Sequence, residues 1–331
     1  MKKKSCFMIL LAICLFLVGC GNNSSENTSS QKKDSKKEIV INIGAPKAPP
    51  TLPILRMIDQ NVLGDNVKIN LEFWNTPEQV IAMTQDGKHD MFALPLTVAA
   101  KLYNKEANIK LTNVNTWGVT YFVSSDKNIK NWSDLKGKTV YVPLKSSPPD
   151  IMTQYFMESN NLRIGKDVEI KYSSIQEIGQ LLKASKIENA VNIEPQVTAS
   201  LMGNKNLEVK FNYNEEWKKI KGKDKNIPNA GMGATTKFIE NNPEVVKNFE
   251  KEYEKALKWV LENPKDAAKL AESKLGLKKE IVEKAIPNFG LEYKNSKNAK
   301  EDLKSFYELL YKFDLKTIGG KVPSEEFYYG E

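Results

Sequence analysis

Two runs of alternating strand and helix signals, separated by one extended crossing, constrain this 331-residue chain more than any other feature. In "IVINIG" (39–44), Ile39, Ile41 and Ile43 fall on one face at the two-residue period of a strand, and "PPTLPILRMIDQ" then reads as a turn and a helix start. "VKINLEFW" is the next strand. Thr76-Pro77-Glu78-Gln79 follows it with a capping residue, a proline at the first helical position and a glutamine able to complete a capping box. "DMFALP" reads as a short buried strand and "LTVAAKLYN" as its helix, after which residues 109 to 124 are expected to be extended, with a break at Gly118. The second run begins at "WSDLKGKTVYVPL", where Gly137 turns into a strand over Thr139 to Pro143. Pro148 and Pro149 open a helix to about Asn160, "VEIKY" is a strand, and Ser174 to Glu177 form a capping-box start for a helix ending near Ala184. "ENAVNI" is again a strand, and Glu194-Pro195 opens another helix.

Such alternation predicts parallel sheets with helices on both faces. Because it restarts after the crossing, the expected fold class is α/β with two lobes, each a mainly parallel sheet flanked by helices. From about Thr236 only helices are expected, beginning with Asn242-Pro243-Glu244 as cap, first turn and dipole partner. Val245, Val246, Phe249, Tyr253, Ala256, Leu257, Val260 and Leu261 then recur at helical spacing, the pattern of a core stripe. "GMGAT" (231–235) is too short for a dinucleotide fingerprint and reads as a flexible connection.

At the start of the chain, Lys2, Lys3 and Lys4 precede twelve consecutive hydrophobic residues, Phe7 to Val18. That length suits a signal-peptide core and falls short of the roughly 20 residues that span a bilayer. Leu17-Val18-Gly19-Cys20 resembles the lipobox of bacterial lipoproteins, in which the cysteine is diacylated and becomes the first residue. Residues 21 to 37 contain nothing hydrophobic and are expected to be disordered. At about 5–6 Å × √n they would hold the body on the order of 20 Å from the membrane. Residues 1–19 are thus expected to be a signal peptide and 20–37 a tether lipidated at Cys20.

The other two cysteines, Cys6 and Cys14, lie in the segment to be removed, so the mature chain is expected to lack a disulfide, a thiol nucleophile and a cysteine-ligated metal. His89, the single histidine, cannot build a metal cluster, has no nucleophile-elbow pattern nearby, and reads as a surface-turn residue. "GKT" (137–139) fails as a phosphate loop: Trp132 stands at the first glycine position, and the strand follows the motif instead of preceding it. No cofactor or metal is expected. Of the net charge of +8, Lys2 to Lys4 carry three units with no acid before Cys20, leaving +5. Nearly all of it is lysine interleaved with acids, with Arg56 and Arg163 the two arginines, a pattern of solvated surface and not of a nucleic-acid patch.

"NWSDLKGKTVYVP", "LLKASKIENAVNIEPQVTASL", "NNPEVVKNFEKEYEKALKWVLENPKDAAKLA" and "GGKVPSEEFYYG" occur in that order over nearly the whole chain. In them the chain resembles the substrate-binding proteins of ABC transporters, in the group that includes sulfonate, nitrate, taurine and thiamine-precursor binders. It departs from the family pattern at Glu188-Asn189-Ala190 and at Ile193. The resemblance implies a monomeric, two-lobed periplasmic-binding-protein-like fold of type II, lobe 1 being 38–122 plus 230–331 and lobe 2 being 123–229. It also implies a cleft that closes on a small molecule, a membrane permease with its ATPase as partners, and a place on the extracytoplasmic face of the cell membrane. A same-fold pyrimidine-synthesis enzyme is disfavoured by the missing cysteines and the signal peptide. A structural or adhesion lipoprotein is disfavoured by the lack of repeats.

In open α/β sheets ligands sit beyond the carboxyl ends of strands, and pockets favour domain interfaces. The residues after each strand are Pro46, Lys47, Thr51, Trp74, Asn75, Thr76, Leu94 and Thr97, with Trp117 near the crossing, in the first lobe. In the second lobe they are Lys145, Ser146, Ser147, Asp150, Ser173 and Glu194. From these the expected ligand-binding set is Lys47, Thr51, Trp74, Asn75, Thr97, Trp117, Ser146, Ser147, Asp150 and Glu194. Thr51, Thr76, Thr97, Ser147 and Ser174 could instead serve as helix caps, and Trp74 as core. Glu194 stands out, because a carboxylate before a helix-opening proline is poorly suited to burial without a partner. With Trp74 and Trp117 as stacking surfaces and Asp150 and Glu194 as acceptors, a thiamine-type pyrimidine is the first expectation. Sulfonate, taurine or nitrate is the second, held by helix N-termini with Lys47 or Lys145.

Overall fold

A computed structural model describes residues 38–330; the expected signal segment, Cys20 and the expected tether lie outside them. β1 (Ile39–Pro46) passes through a tight turn at Pro49–Thr51 into α1 (Leu52–Asp59), and β2 (Val67–Trp74) into α2 (Pro77–Gln85). The Thr76 capping box forms: its hydroxyl accepts from Gln79 N, and the Gln79 side chain accepts from Thr76 N. β3 (Met91–Pro95) runs straight into α3 (Leu96–Asn104), and β4 (Ile109–Trp117) and β5 (Thr120–Ser124) make the extended crossing, broken at Gly118 with φ +55°. The second run is β6 (Thr139–Pro143), α4 (Pro148–Ser159), β7 (Glu169–Ser173), α5 (Ile175–Lys183), β8 (Asn189–Ile193), α6 (Gln196–Gly203), β9 (Glu208–Asn212) and α7 (Tyr213–Lys221). The chain then returns through β10 (Pro228–Thr235) to α8 (Thr236–Asn241), α9 (Pro243–Glu262), α10 (Pro264–Leu275), α11 (Lys279–Ala285), β11 (Leu291–Asn295) and α12 (Lys300–Asp314).

The strands form two sheets, one ordered β11-β4-β10-β3-β1-β2 and the other β7-β6-β8-β5-β9, in the expected two-lobed α/β architecture. Their parallel character is confined to β2–β1–β3 and β7–β6–β8. The remaining pairs are antiparallel, so the sheets are mixed where mainly parallel ones were expected. The physical reason is the connectivity: β5 enters the second sheet, and β10 re-enters the first, against the direction of the βαβ strands there, so every neighbour of β5 and β10 is antiparallel to it.

Three local readings are corrected. The C-terminal region is not purely helical, because β11 adds an edge strand to the first sheet. Asn242 does not cap α9; its amide donates to the Phe238 carbonyl, while Pro243 and Glu244 hold the first helical turn as expected. "GMGAT" is no connection but the carboxyl-terminal part of β10, between β3 and β4.

Along α9, Val246, Phe249, Tyr253, Ala256, Leu257 and Val260 are buried in one cluster with Ile41 and Ile43, whereas Leu261 is exposed. A second cluster is continuous through both lobes, linking Leu111, Val114 and Trp117 to Val140, Val142 and Val191, with Leu303, Phe306 and Leu310 of α12 in the same core. His89, expected at the surface, is buried between Asp86 at 2.8 Å and Glu72 at 3.2 Å. Among the described residues no group of histidine, cysteine, aspartate and glutamate could hold a metal, and no helix is long and apolar enough to cross a membrane.

The buried face of α9 also carries Glu250, whose carboxylate accepts from Asn113 Nδ2 at 2.7 Å and Tyr293 OH at 3.0 Å. Burial pushes its pKa upward, since desolvation penalises the charged form. A carboxyl whose folded pKa lies above its unfolded value lends stability that is fully present below the unfolded pKa, near 4.5, and is lost as pH rises through the folded one. Each unit of that rise corresponds to about 1.4 kcal/mol. Glu250→Gln, which keeps an acceptor for both donors, is therefore expected to melt higher than wild type at pH 7 to 8. The two should converge near pH 4. Melting curves that stay parallel across that range would contradict a raised Glu250.

Candidate functional site

Strand register fixes which end of each sheet faces the other lobe. β4 leaves the first sheet at Trp117, and β10 returns to it at Pro228, paired with Trp117. β10 also pairs antiparallel with β3, matching Ala230 to Pro95, so the carboxyl end of β3 lies at the same, lobe-facing edge. β1 is parallel to β3, and β2 to β1 with Pro46 opposite Trp74, so their carboxyl ends lie there too. In the second sheet β5 enters at Thr120 opposite Ile193 at the end of β8, and β6 and β7 run parallel to β8. All six parallel strands thus point their carboxyl ends into the gap between lobes. The residues proposed from sequence are carried to that gap by this register.

Their side chains divide into two kinds. Thr51, Trp74, Trp117, Asp150 and Glu194 are buried, with their polar atoms engaged inside the protein. Trp74 Nε1 donates to Ala93 O at 3.2 Å, and Trp117 Nε1 donates to Glu292 O at 2.8 Å with Lys294 Nζ 4.6 Å from its ring. Glu194 accepts from Thr198 N at 3.0 Å and from Thr198 Oγ1 at 2.8 Å, and burial raises its pKa. Lys47, Asn75, Lys145 and Ser146 are exposed, and Thr97 and Ser147 are half-buried.

The loop from Pro143 to Asp150 is the most unusual element at the gap. Leu144 and Ser146 adopt φ of +52° and +61°, conformations that cost non-glycine residues on the order of 1–3 kcal/mol and persist only where the surroundings enforce them. Asp150, fully buried, does the enforcing: one carboxylate oxygen accepts from Ser146 N at 2.8 Å and the other from Tyr172 OH at 3.1 Å. Burial and the adjacent Asp150 push the Tyr172 hydroxyl up to about 12, which keeps it a donor. Tyr172 was missed in the sequence, although it ends "VEIKY" one residue before Ser173.

Helix caps separate the central from the outer strands. After the edge strands β2 and β7, Thr76 and Ser174 cap α2 and α5 through their hydroxyls, although at α5 the Glu177 side chain meets Ser173 and the box stays half-built. After the central strands, α1, α3 and α4 have no side-chain cap. Thr51 and Ser147 turn their hydroxyls back instead to the carbonyls of Pro46 and Pro143. All three helices point positive dipole ends to the lobe-facing edge, but only α3 also offers unpaired N–H groups in its first turn without interruption: α4 begins with Pro148 and Pro149, and in α1 Leu52 N is bonded to Pro49 O and Pro53 has no N–H.

The two crossings are bound to one another. Gly118 N donates to Ile227 O at 2.9 Å, and Asn214 straddles both segments, accepting from Ile227 N at 2.7 Å and donating to Asn226 Oδ1 at 2.8 Å. A Cβ at Gly118 would lie 2.5 Å from Asn214 Cβ, so glycine is required there for space as well as for its positive φ. A cavity of ≈ 340 Å³ opens on one flank of the gap, lined from the second lobe by Gln176, Gln180 and Gln196 and from the first by Lys278 and Ile281. A larger one of ≈ 560 Å³ lies at the opposite end of β3, beside His89 and Asp90. Residues of the first lobe alone line it, so closure of the lobes could not enclose a solute there.

The sequence matches the family described as NMT1/THI5 like over residues 64–267. No curated protein matches it. Among solved structures, the fold is similar to that of a protein described as an ABC transporter from Parabacteroides distasonis, with a TM-score of 0.76 and 21% identity over 89% of this chain and 100% of that one. It is similar also to the periplasmic aliphatic sulphonate binding protein SsuA of Escherichia coli, with a TM-score of 0.69 and 14% identity over 88% and 96% of the two chains. A third is the alkanesulfonate-binding protein SsuA of Xanthomonas axonopodis, bound to MOPS, with a TM-score of 0.62 and 13% identity over 88% and 97%. At such identities the likeness speaks for the fold alone.

Proposed function

The chain belongs to the NMT1/THI5-like family, and we propose that it is the solute-binding component of an ABC importer, closing on a small organic solute and handing it to a permease. The observation that carries this reading is the register: the carboxyl ends of the parallel strands of both lobes converge on one gap. The lobes expected as 38–122 with 230–331 and 123–229 are proposed to divide instead at the crossings 118–119 and 226–227 and to hinge there, because β5 from Thr120 pairs in the second sheet and β10 from Pro228 in the first. Binding without chemistry suits a site whose carboxylates are engaged internally.

For the ligand, a small organic anion is favoured over the heterocycle expected first. Asp150 and Glu194 were the reason for expecting amino groups, and both are buried against donors of their own. What remains open at the gap is cationic or donating: Lys47, Lys145, the first N–H groups of α3 and the positive dipole ends of α1 and α4. The sulfonate-binding neighbours agree with that chemistry. A stacking heterocycle stays as the second reading on one observation, the partly exposed ring of Tyr172 beside Lys145. Calorimetry with ethanesulfonate, taurine, nitrate and 4-aminopyrimidine separates the two. The sulfonates are expected to bind below millimolar and the pyrimidine not; the reverse order would overturn the anion reading.

We further propose that Cys20 carries the lipid anchor, on the extracytoplasmic face, and that the protein works as a monomer. Metabolic labelling with a palmitate analogue is expected to mark wild type and to disappear in Cys20→Ser. Equal labelling of both would end that proposal.

A further inference from the structure

We propose that Asn288 is a clasp beside the hinge, fastening the second lobe to the first and setting the angle at which the cleft rests. The inference rests on the two-lobed binding reading.

Asn288 ends the tight turn Ile286–Asn288, which is anchored in the first lobe: Ile286 and Phe289 on either side are buried in the cluster of Ile41 and Ile43. From that footing it meets two groups of the second lobe. Its backbone carbonyl accepts from Tyr121 OH at 3.1 Å, and its exposed side-chain amide lies beside the Glu194 carboxylate, close enough to favour the charged form against burial. Tyr121 belongs to β5 and Glu194 follows β8, neighbouring strands paired Thr120 to Ile193, so the clasp grips the second sheet at two adjacent points. Gly290, two residues on, accepts from Trp117 N at 2.8 Å, and Val119 accepts from Glu194 N at 3.2 Å, which places the clasp directly along the first crossing.

Burial gives these bonds weight. Tyr121 is 8% exposed, so a rotation that draws it away from Asn288 leaves a buried hydroxyl short of its acceptor. Glu194 meanwhile keeps its two bonds to Thr198, which hold it rigidly at the start of α6. Its partner on the far side is therefore a fixed point of the second lobe and not a loose side chain. Glu194 is assigned here to lobe geometry, and its sensitivity to substitution would mimic that of a ligand contact.

The test uses the full chain in detergent. All three cysteines lie within residues 1–20, so Cys6, Cys14 and Cys20 can be made serine and two labels placed freely. Gln180→Cys and Lys278→Cys, exposed on opposite walls of the flank cavity, carry spin labels whose separation reports the angle between lobes. Asn288→Ala removes the side-chain amide beside Glu194 and keeps the carbonyl; Tyr121→Phe removes the hydrogen bond to that carbonyl. Each is expected to lengthen and broaden the distance distribution, and the pair to do so more than either, at a melting temperature near the parent's. Distributions that superimpose on the parent in both single variants and in the double would overturn the clasp. No solute is added, so the outcome is independent of whether the anion reading holds.

Discussion

Asp150→Ala is expected to weaken solute binding at least about tenfold, or about 1.4 kcal/mol, although the side chain is fully buried and cannot touch a solute. Its work is to hold the Leu144–Ser147 loop, which carries two positive-φ residues and stands at the carboxyl end of β6. Alanine leaves Ser146 N and Tyr172 OH without their acceptor, and each loss of that kind costs about 1–3 kcal/mol. The two strained residues then have a downhill route to ordinary backbone angles. When they take it, the N-terminus of α4 and Lys145 leave the positions proposed for the anion. Asp150→Asn should lie between the two, because its carbonyl can still accept from Ser146 N while the tyrosine hydroxyl turns to accept from the amide. Calorimetry with ethanesulfonate reads affinity, and amide hydrogen exchange at Ser146 and Ser147 reads the loop. Unchanged affinity with faster exchange in Asp150→Ala would remove this loop from the site.

The same loop shows where sequence reasoning reached and where it stopped. Proline, glycine and capping signals are local, and they located β6, α4 and the start of α2 to within a residue or two. The strand-end rule is topological, and register places the residues it selected at the lobe-facing edge. Which of those side chains stay open is decided by contacts between segments distant in the chain. Trp117 is closed by Glu292 and Asp150 by Tyr172, neither of which the spacing around them announces. His89 was misplaced for the same reason. Its neighbours in sequence are polar turn residues, and the wall that buries it includes Glu72 of β2 and Phe92 of β3.

Gly231 is the plainest case of a local signal overruled, and its replacement should have the largest effect on stability. Two glycines in "GMGAT" mark a flexible segment by composition, yet β10 is an interior strand of the first sheet, flanked on both sides by partners. The glycines are there because the strands come too close for a side chain: a Cβ at Gly231 would sit 2.1 Å from the Asn113 carbonyl oxygen, where the register between β10 and β4 shifts. That oxygen is backbone in the middle of a sheet and cannot swing aside. Gly231→Ala must therefore displace β4 or β10, at an expected cost of about 3 kcal/mol or more. In a body of this size that lowers the melting temperature by roughly 5 °C or more. Gly179→Ala is the contrast. Its Cβ would meet Gln196 Oε1 at 3.1 Å, the mobile end of a side chain, and alanine in a helix interior gains up to about 1 kcal/mol over glycine. Thermal melts of the two variants should accordingly move in opposite directions or, for Gly179→Ala, barely at all. A Gly231→Ala protein that melts with wild type would mean that β10 and β4 are not packed at this distance in solution.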